Sequence, residues 1–308
     1  MATKEEETKI IMARAENIQN EKFKEVSFWR KKSFKKELQK WSSYVFLSLL
    51  AVVFIVPFVW ALSGSFKNLD EMYAMPPRLL GAELKWDNYI TAFQVLPFGR
   101  FMFNSFSIII LNMVGVGVSC TITGYAFSRV KWKGRDFFFY VMLSGMMLPS
   151  AAKMVPMYQV MKLLGWLDTY KPLTIPYWLG LNVFNAFLMR QYFRTIPKSL
   201  EDAAKIDGCS SFRIFLEIMV PLAKPAVATI MILTFIYNWQ SFSAPLVYLS
   251  TYKKFTVALG LRMFQSASQN YTHLLMAASM IALLPVLIVF FLGQKYFIKG
   301  IVLSGSKG

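Results

Sequence analysis

The chain has 308 residues, 56% of them apolar and 17% charged, with 16% aromatic and a mean hydropathy of +0.42. An ordinary soluble domain carries about 25% charged residues, and a disordered chain is poor in aromatic and apolar ones, so burial in lipid is what remains. The formal charge of +17 often marks a nucleic-acid partner, but here the basic residues crowd into short segments between long uncharged ones. That is how a membrane protein arranges them, and no nucleic-acid role is expected.

The first 40 residues hold 18 charges, too many for a signal peptide ahead of the first apolar run. They are Lys/Glu-rich to about Asn20, then basic with Phe23, Phe28, Trp29, Phe34 and Trp41. Phe34, Leu38 and Trp41 fall at i, i+4 and i+7, which predicts a short helix lying in the inner membrane interface. Residues before Asn20 also read as a solvated tail. A membrane-crossing helix needs about 20 apolar residues. Six spans are expected, at about 41–66, 101–128, 137–157, 172–192, 225–249 and 274–296. The third is the weakest, because its uncharged run stops at Lys153 and needs the following Met154 to Tyr158 to complete it.

Pro57, Pro149, Pro176, Pro245 and Pro285 sit one in each of five spans, where packed membrane helices tolerate them as kinks. The segment 67–100, with Pro76, Pro77 and Pro97, reads as loop with short helical pieces. With the N-terminus inside, the inner segments carry 24 Lys and Arg against 10 in the outer ones. This bias predicts that both termini are cytoplasmic. The expected fold is an all-α integral membrane protein, in contact with lipid.

Enzyme signals are missing. Cys120 and Cys209 make no disulfide framework, and the single histidine, His273, leaves no Cys/His metal cluster to propose. Gly300, Gly305, Ser306 and Lys307 approach a phosphate loop in the wrong order, since Lys must directly follow the second Gly. No cofactor is expected on this chain. Asn270-Tyr-Thr is formally a glycosylation sequon, a weak three-residue match.

The informative stretch is the inner loop 191–225. Ser199 can cap a helix, with Asp202 reaching back as a weaker capping box. Ala203 and Ala204 favour helix, and Gly208 supplies its stop, in a conformation with φ above zero. Ser210 or Ser211 can cap a second short helix running to about Met219, which Pro221 ends. Helix, turn, helix with small exposed residues has the form of a docking element.

This pattern resembles the signature loop of ABC import permeases: Glu-Ala-Ala, three positions, Gly, then a Leu-Pro further on. Asp202, Ala203, Ala204, Asp207, Gly208 and Pro221 fall on it, with Asp202 for the usual Glu, Glu201 beside it, and Val220 for the usual Leu. Trp239 to Leu249 is similar to the Trp-Asn-x-Phe-x-x-Pro-Leu segment of the carbohydrate-uptake branch, with Gln240 for Asn. The ending, Lys295 to Gly308, is similar to that of the maltose-type second permease.

The resemblance covers about Trp41 to Gly308 and implies a bacterial or archaeal cell membrane and divided labour. A companion permease would complete the pathway as a heterodimer. Two ATPase subunits would hold ATP and Mg, and an extracytoplasmic binding protein would deliver a sugar or oligosaccharide. The loop would dock on the ATPase through Glu201, Asp202, Ala203, Ala204, Asp207, Gly208 and Pro221. The cytoplasmic tail 304–308 would add a contact through Ser306, Lys307 and Gly308.

Polar residues inside spans suggest a pathway. Asn182 and Asn185 share a face of the fourth span, and Tyr237, Asn238, Trp239 and Gln240 lie in the fifth. The same side chains serve as interhelical glue, the reading to prefer for any single residue. A secondary transporter driven by an ion gradient is the main rival, but it would be expected to place an ionisable residue within a span. An integral-membrane enzyme would need clustered His, Asp or Glu. Residues 1–20 carry no readable role, and neither the sugar nor the companion chains can be named from the sequence.

Overall fold

The computed structural model describes Met12 and residues 36–265 and 271–305. The expected interfacial helix falls mostly on residues outside these, as do Ser306, Lys307, Gly308 and the sequon Asn270. The chain divides into two compact units, Met1–Ala61 and Leu62–Gly308. Helix α1 (Lys36–Gly64) crosses that division, and none of its most apolar stretch is buried. Among the described residues the regular structure is helical and contains no strand.

The second unit is organised around α4 (Phe98–Ser128). Before it come α2 (Leu69–Met72) and α3 (Asp87–Val95). After it come α5 (Arg135–Met147), α6 (Ser150–Leu163), α7 (Lys171–Trp178) and α8 (Val183–Thr195). The loop helices α9 (Lys198–Ile206), α10 (Ser211–Ile214) and α11 (Val220–Leu222) lead into α12 (Lys224–Trp239). The unit ends with α13 (Ser243–Tyr248), α14 (Val257–Met263) and α15 (Thr272–Gly305).

Three helices are long and apolar enough to cross a membrane: α1, α4 and Thr272–Gln294 of α15. Two pairs qualify if each is one broken span, α5 with α6, bent by 105°, and Ser211–Leu222 with α12, bent by 71°. The third expected span is therefore angular. Leu148 precedes Pro149 and is held extended at φ −77°, ψ 123°, because the proline ring disfavours helix in the residue before it. The fourth is interrupted between α7 and α8, where Gly180 takes φ +70°. The fifth breaks after Trp239 and resumes at Ser243. Pro176 and Pro285, by contrast, lie inside helices.

Of three apolar clusters among the described residues, the two larger lie one at each end of α4. Toward Phe98 the cluster joins Phe98, Phe101 and Ile109 to Trp239, Val257, Phe264 and Leu274. Toward Ser128 it joins Val116 and Cys120 to Met189, Phe193, Ile214 and Met219. Close approach of α4 to α8 requires Gly124, since a Cβ there would lie 2.5 Å from Met189 Cβ and 2.9 Å from the Arg190 nitrogen.

Hydrogen bonds tie the Phe98 end of α4 to the segment 250–257. Asn104 Nδ2 donates to the carbonyls of Lys253 and Phe255, each at 2.9 Å, and Arg100 Nε to that of Lys253 at 3.1 Å. Ser105 Oγ accepts from Val257 N–H at 2.8 Å. Asp168, at φ 53° in the loop after α6, clasps the same segment. Its carboxylate accepts from Ser250 N–H, Thr251 N–H and Thr251 Oγ1 at 2.6–3.0 Å and pairs with Lys254 Nζ at 2.8 Å. The Lys254 ammonium, then the Thr251 and Ser250 donors, hold this carboxyl well below the usual carboxylate range.

Candidate functional site

Residues 197–223 form the helix-turn-helix that the sequence predicts, with different punctuation. α9 opens at Pro197 rather than on a Ser199 cap. Asp202 reaches forward instead of back, lying 3.8 Å from Lys205 Nζ on the exposed surface, a pairing of little energetic weight. The end of α9 follows the expectation: Gly208 takes φ +76°. Gly208 N–H donates to Lys205 O at 3.0 Å and Cys209 N–H to Ala204 O at 2.9 Å, the paired bonds of a Schellman stop.

Ser210 caps the second helix by accepting from Arg213 N–H at 3.3 Å, and Arg213 pairs with Glu217 at 2.9 Å, one turn on. Pro221 does not end that helix. The turn before it widens into a π-helical segment, Phe215–Met219, and α11 carries Pro221 inside. A proline has no N–H to donate and crowds the carbonyl four residues back, and the wider turn accommodates both. The corner comes at Ala223, and Pro225 sits in the first turn of α12, where its missing N–H is harmless.

Burial sorts the loop into two faces. Ala204, Ile214, Phe215, Met219 and Ala223 belong to the Ser128-end cluster, together with Phe193 and Ile196. Asp202, Ala203, Asp207, Gly208 and Pro221 are exposed. Ile206 and Phe212 flank the turn at 87% and 70% exposure. Neither stood out in the sequence, since an apolar residue in an amphipathic loop reads as core. Glu201 is 4% exposed, and its Oε1 lies 3.4 Å from Arg129 Nε. Of the two adjacent acids, Asp202 faces solvent and Glu201 faces the protein.

The six candidate pathway residues also divide. Asn182 caps α8 by accepting from Asn185 N–H at 3.2 Å. Asn185 Nδ2 donates to Thr234 Oγ1 of α12 at 3.1 Å. Asn238 accepts from Asn112 Nδ2 of α4 at 2.9 Å and donates to Thr234 O at 2.8 Å. Trp239 Nε1 donates to Ala282 O of α15 at 3.0 Å, its ring stacked on Phe235. These four contribute polar groups to joints within and between helices. Tyr237 and Gln240 are exposed. Among the described residues no group of three or more His, Cys, Asp or Glu is placed to hold a metal.

Comparison with known proteins agrees with this architecture. Residues 113–302 match the family model described as the binding-protein-dependent transport system inner membrane component. The arabinooligosaccharides transport system permease protein AraQ of Bacillus subtilis is 31% identical over 86% of this chain and 94% of its own length. The diacetylchitobiose uptake system permease protein NgcG of Streptomyces coelicolor is 30% identical over 86% of this chain and 87% of its own. A crystal structure of a bacterial ABC transporter involved in the import of the polysaccharide alginate superposes with a TM-score of 0.73 at 26% identity. It covers 83% of this chain and 95% of that one. With a family match over most of the chain and relatives aligned nearly end to end, this protein belongs to the inner-membrane permeases of binding-protein-dependent ABC transporters, non-enzymatic transmembrane subunits whose ATP is hydrolysed by a partner.

Proposed function

We propose that this permease forms half of the translocation pathway of an importer for a sugar or oligosaccharide, working as a heterodimer with a companion permease. An extracytoplasmic binding protein delivers the substrate, and two ATPase subunits carry ATP and Mg. The relatives named for arabinooligosaccharide and diacetylchitobiose uptake support the substrate class. The family's description as binding-protein-dependent supports the delivery step. Six spans with both termini cytoplasmic remain the topology that the charge bias favours.

The observation that carries the mechanism is the exposed rim Ala203, Ile206 and Phe212 around Gly208, on two helices whose other faces are packed into the protein. A small residue between two large apolar ones makes a knob for a cleft on another protein. Coupling requires that the ATPase grip this knob differently in its nucleotide states, since equal affinity for both shifts nothing. Asp202 and Asp207 rim the knob with charge, and Ser306 to Gly308 add a second contact. Tyr237 and Gln240, the exposed members of the six, face the substrate, while Asn182, Asn185, Asn238 and Trp239 hold the helices around it.

Purification decides the matter. The tagged chain, expressed with its companion permease and ATPase, is expected to co-isolate with both and to show hydrolysis stimulated by the binding protein. Sugar uptake by the isolated chain in liposomes would overturn the proposal and favour an ion-driven carrier.

A further inference from the structure

The docking loop must be connected to the long helices if its movement is to open or close anything; beside the apolar contact of Tyr125 on Phe215, Arg129 makes a polar connection. Arg129 follows α4 directly, its own N–H closing the last turn onto Tyr125 O. Its guanidinium reaches two further elements. Nε donates to Phe193 O at 3.1 Å, and Nη2 donates to the carbonyls of Phe193 and Ile196. These carbonyls lie at the open C-terminus of α8, where unpaired C=O groups need donors and a cation is favoured. Nε also lies 3.4 Å from Glu201 Oε1 on α9, with the two side chains 9% and 6% exposed. Phe193 and Ile196, whose carbonyls the guanidinium holds, and Ala204 of α9 belong to the apolar cluster at this end.

We propose that Arg129 is the positioning residue that makes the loop and α4 move as one body, with Glu201 as its partner on the loop. The inference rests on the coupling role proposed above and reassigns one of its acids: Glu201 acts inward on the transporter's own helices, and Asp202 is left to meet the ATPase. A guanidinium suits this place because its planar fork presents donors at fixed angles to two carbonyls while its charge faces the carboxylate. An ammonium is a single point charge and cannot span all three. The pair is buried, so removing either partner strands a charge or a set of carbonyls, and α9 loses its fixed register against α8.

The test uses the assembled transporter, with companion permease, ATPase and binding protein, in lipid nanodiscs. Cys120→Ser and Cys209→Ser remove the native thiols, and Leu246→Cys places a reporter on the exposed side of α13. The rate at which a maleimide modifies that reporter is measured without nucleotide and after trapping with ATP and vanadate. ATPase retention is measured on the same particles. In the parent, trapping is expected to change the rate about tenfold, the scale of a typical coupling between sites. Arg129→Gln and Glu201→Gln are expected to keep the ATPase bound yet lose most of that change. The double variant should lose no more than either single one, because the two residues act as a unit. Arg129→Lys should recover part of the response.

A purely structural role gives a different result. Fewer particles would assemble, but those formed would show the parent's full nucleotide response. That outcome, or single variants with an undiminished response, overturns the role of Arg129 while the proposed function stands. A parent that holds no ATPase, or whose reporter ignores nucleotide, overturns the function and this inference together.

Discussion

The two ends of α4 are fastened in opposite ways. At the Phe98 end, Arg100, Asn104 and Ser105 share the work of holding residues 250–257, and Asp168 adds four contacts from another loop. At the Ser128 end, the Arg129 guanidinium bonds two carbonyls and faces one carboxylate inside an apolar cluster, and Arg190 Nε adds a single bond to Phe127 O at 3.1 Å. A distributed fastening loses strength in small steps, and a concentrated one is present or absent. Rigidity spread over many bonds suits a seam that stays shut. Rigidity concentrated mainly in one guanidinium suits a joint that must carry force in a single direction.

The contrast can be broken first at its stronger end. Arg129→Ala leaves Glu201 buried without its cation and should cost about 3–5 kcal/mol, read as a lowered thermal unfolding midpoint in detergent. A cost under about 1 kcal/mol would mean that the apolar cluster alone holds the loop. Next in size is Gly208→Val. At φ +76° a side chain is strained by about 1–2 kcal/mol, yet a Cβ there would meet nothing within 4 Å. The variant should therefore insert normally but re-aim Ile206 and Phe212, so that washed membranes lose their ATPase. Retention with full stimulation would remove the loop from the coupling mechanism.

At the distributed end, Asn104→Ala deletes two bonds to carbonyls and should cost about 2 kcal/mol, at about 1 per bond. Faster proteolysis within 250–257 would report it. Asp168→Asn should matter least, because the carboxylate shares its task. Its pH signature is specific all the same. A carboxyl held below its ordinary value contributes fully above about pH 4 and loses that contribution as pH falls through the folded value. The parent clasp should therefore resist proteolysis equally at pH 8 and pH 5 and loosen only in stronger acid. Asp168→Asn should be indifferent to pH over the whole range.

How much of this was legible in the sequence depended on how local the cause was. The turn at Gly208 and the cap of the second helix are local chemistry: the first reads directly from a few neighbouring residues, and the second reads as Ser210 or Ser211, of which the structure uses Ser210. Glu201 and Asp202 are adjacent acids on one short helix, and what separates them is the phase at which α9 meets Phe193 and Ile196, a tertiary fact. Arg129 was counted as one topological charge among many, because its partners lie 64 to 72 positions away. Pro149 and Pro176 looked equivalent as kinks, but only Pro149 marks a corner. The extended Leu148 before it decided that. The break between α7 and α8 was hidden because Gly180 sits in an uncharged stretch, and neither charge nor hydropathy reports φ.

The π-helical segment Phe215–Met219 has a consequence for how such loops diversify. Each residue of a helix advances its neighbours by about 100° around the axis. A segment wound one residue wide therefore sets the azimuth of everything that precedes it relative to α12. Deleting one residue there would swing Phe212 and Ile206 about a quarter-turn away from their present bearing without altering either side chain. A loop transplanted from another transporter would need the same winding as well as the same motif, or its knob would arrive facing the wrong way. Partner choice in such transporters can thus be written in the length of a turn as readily as in the residues it presents.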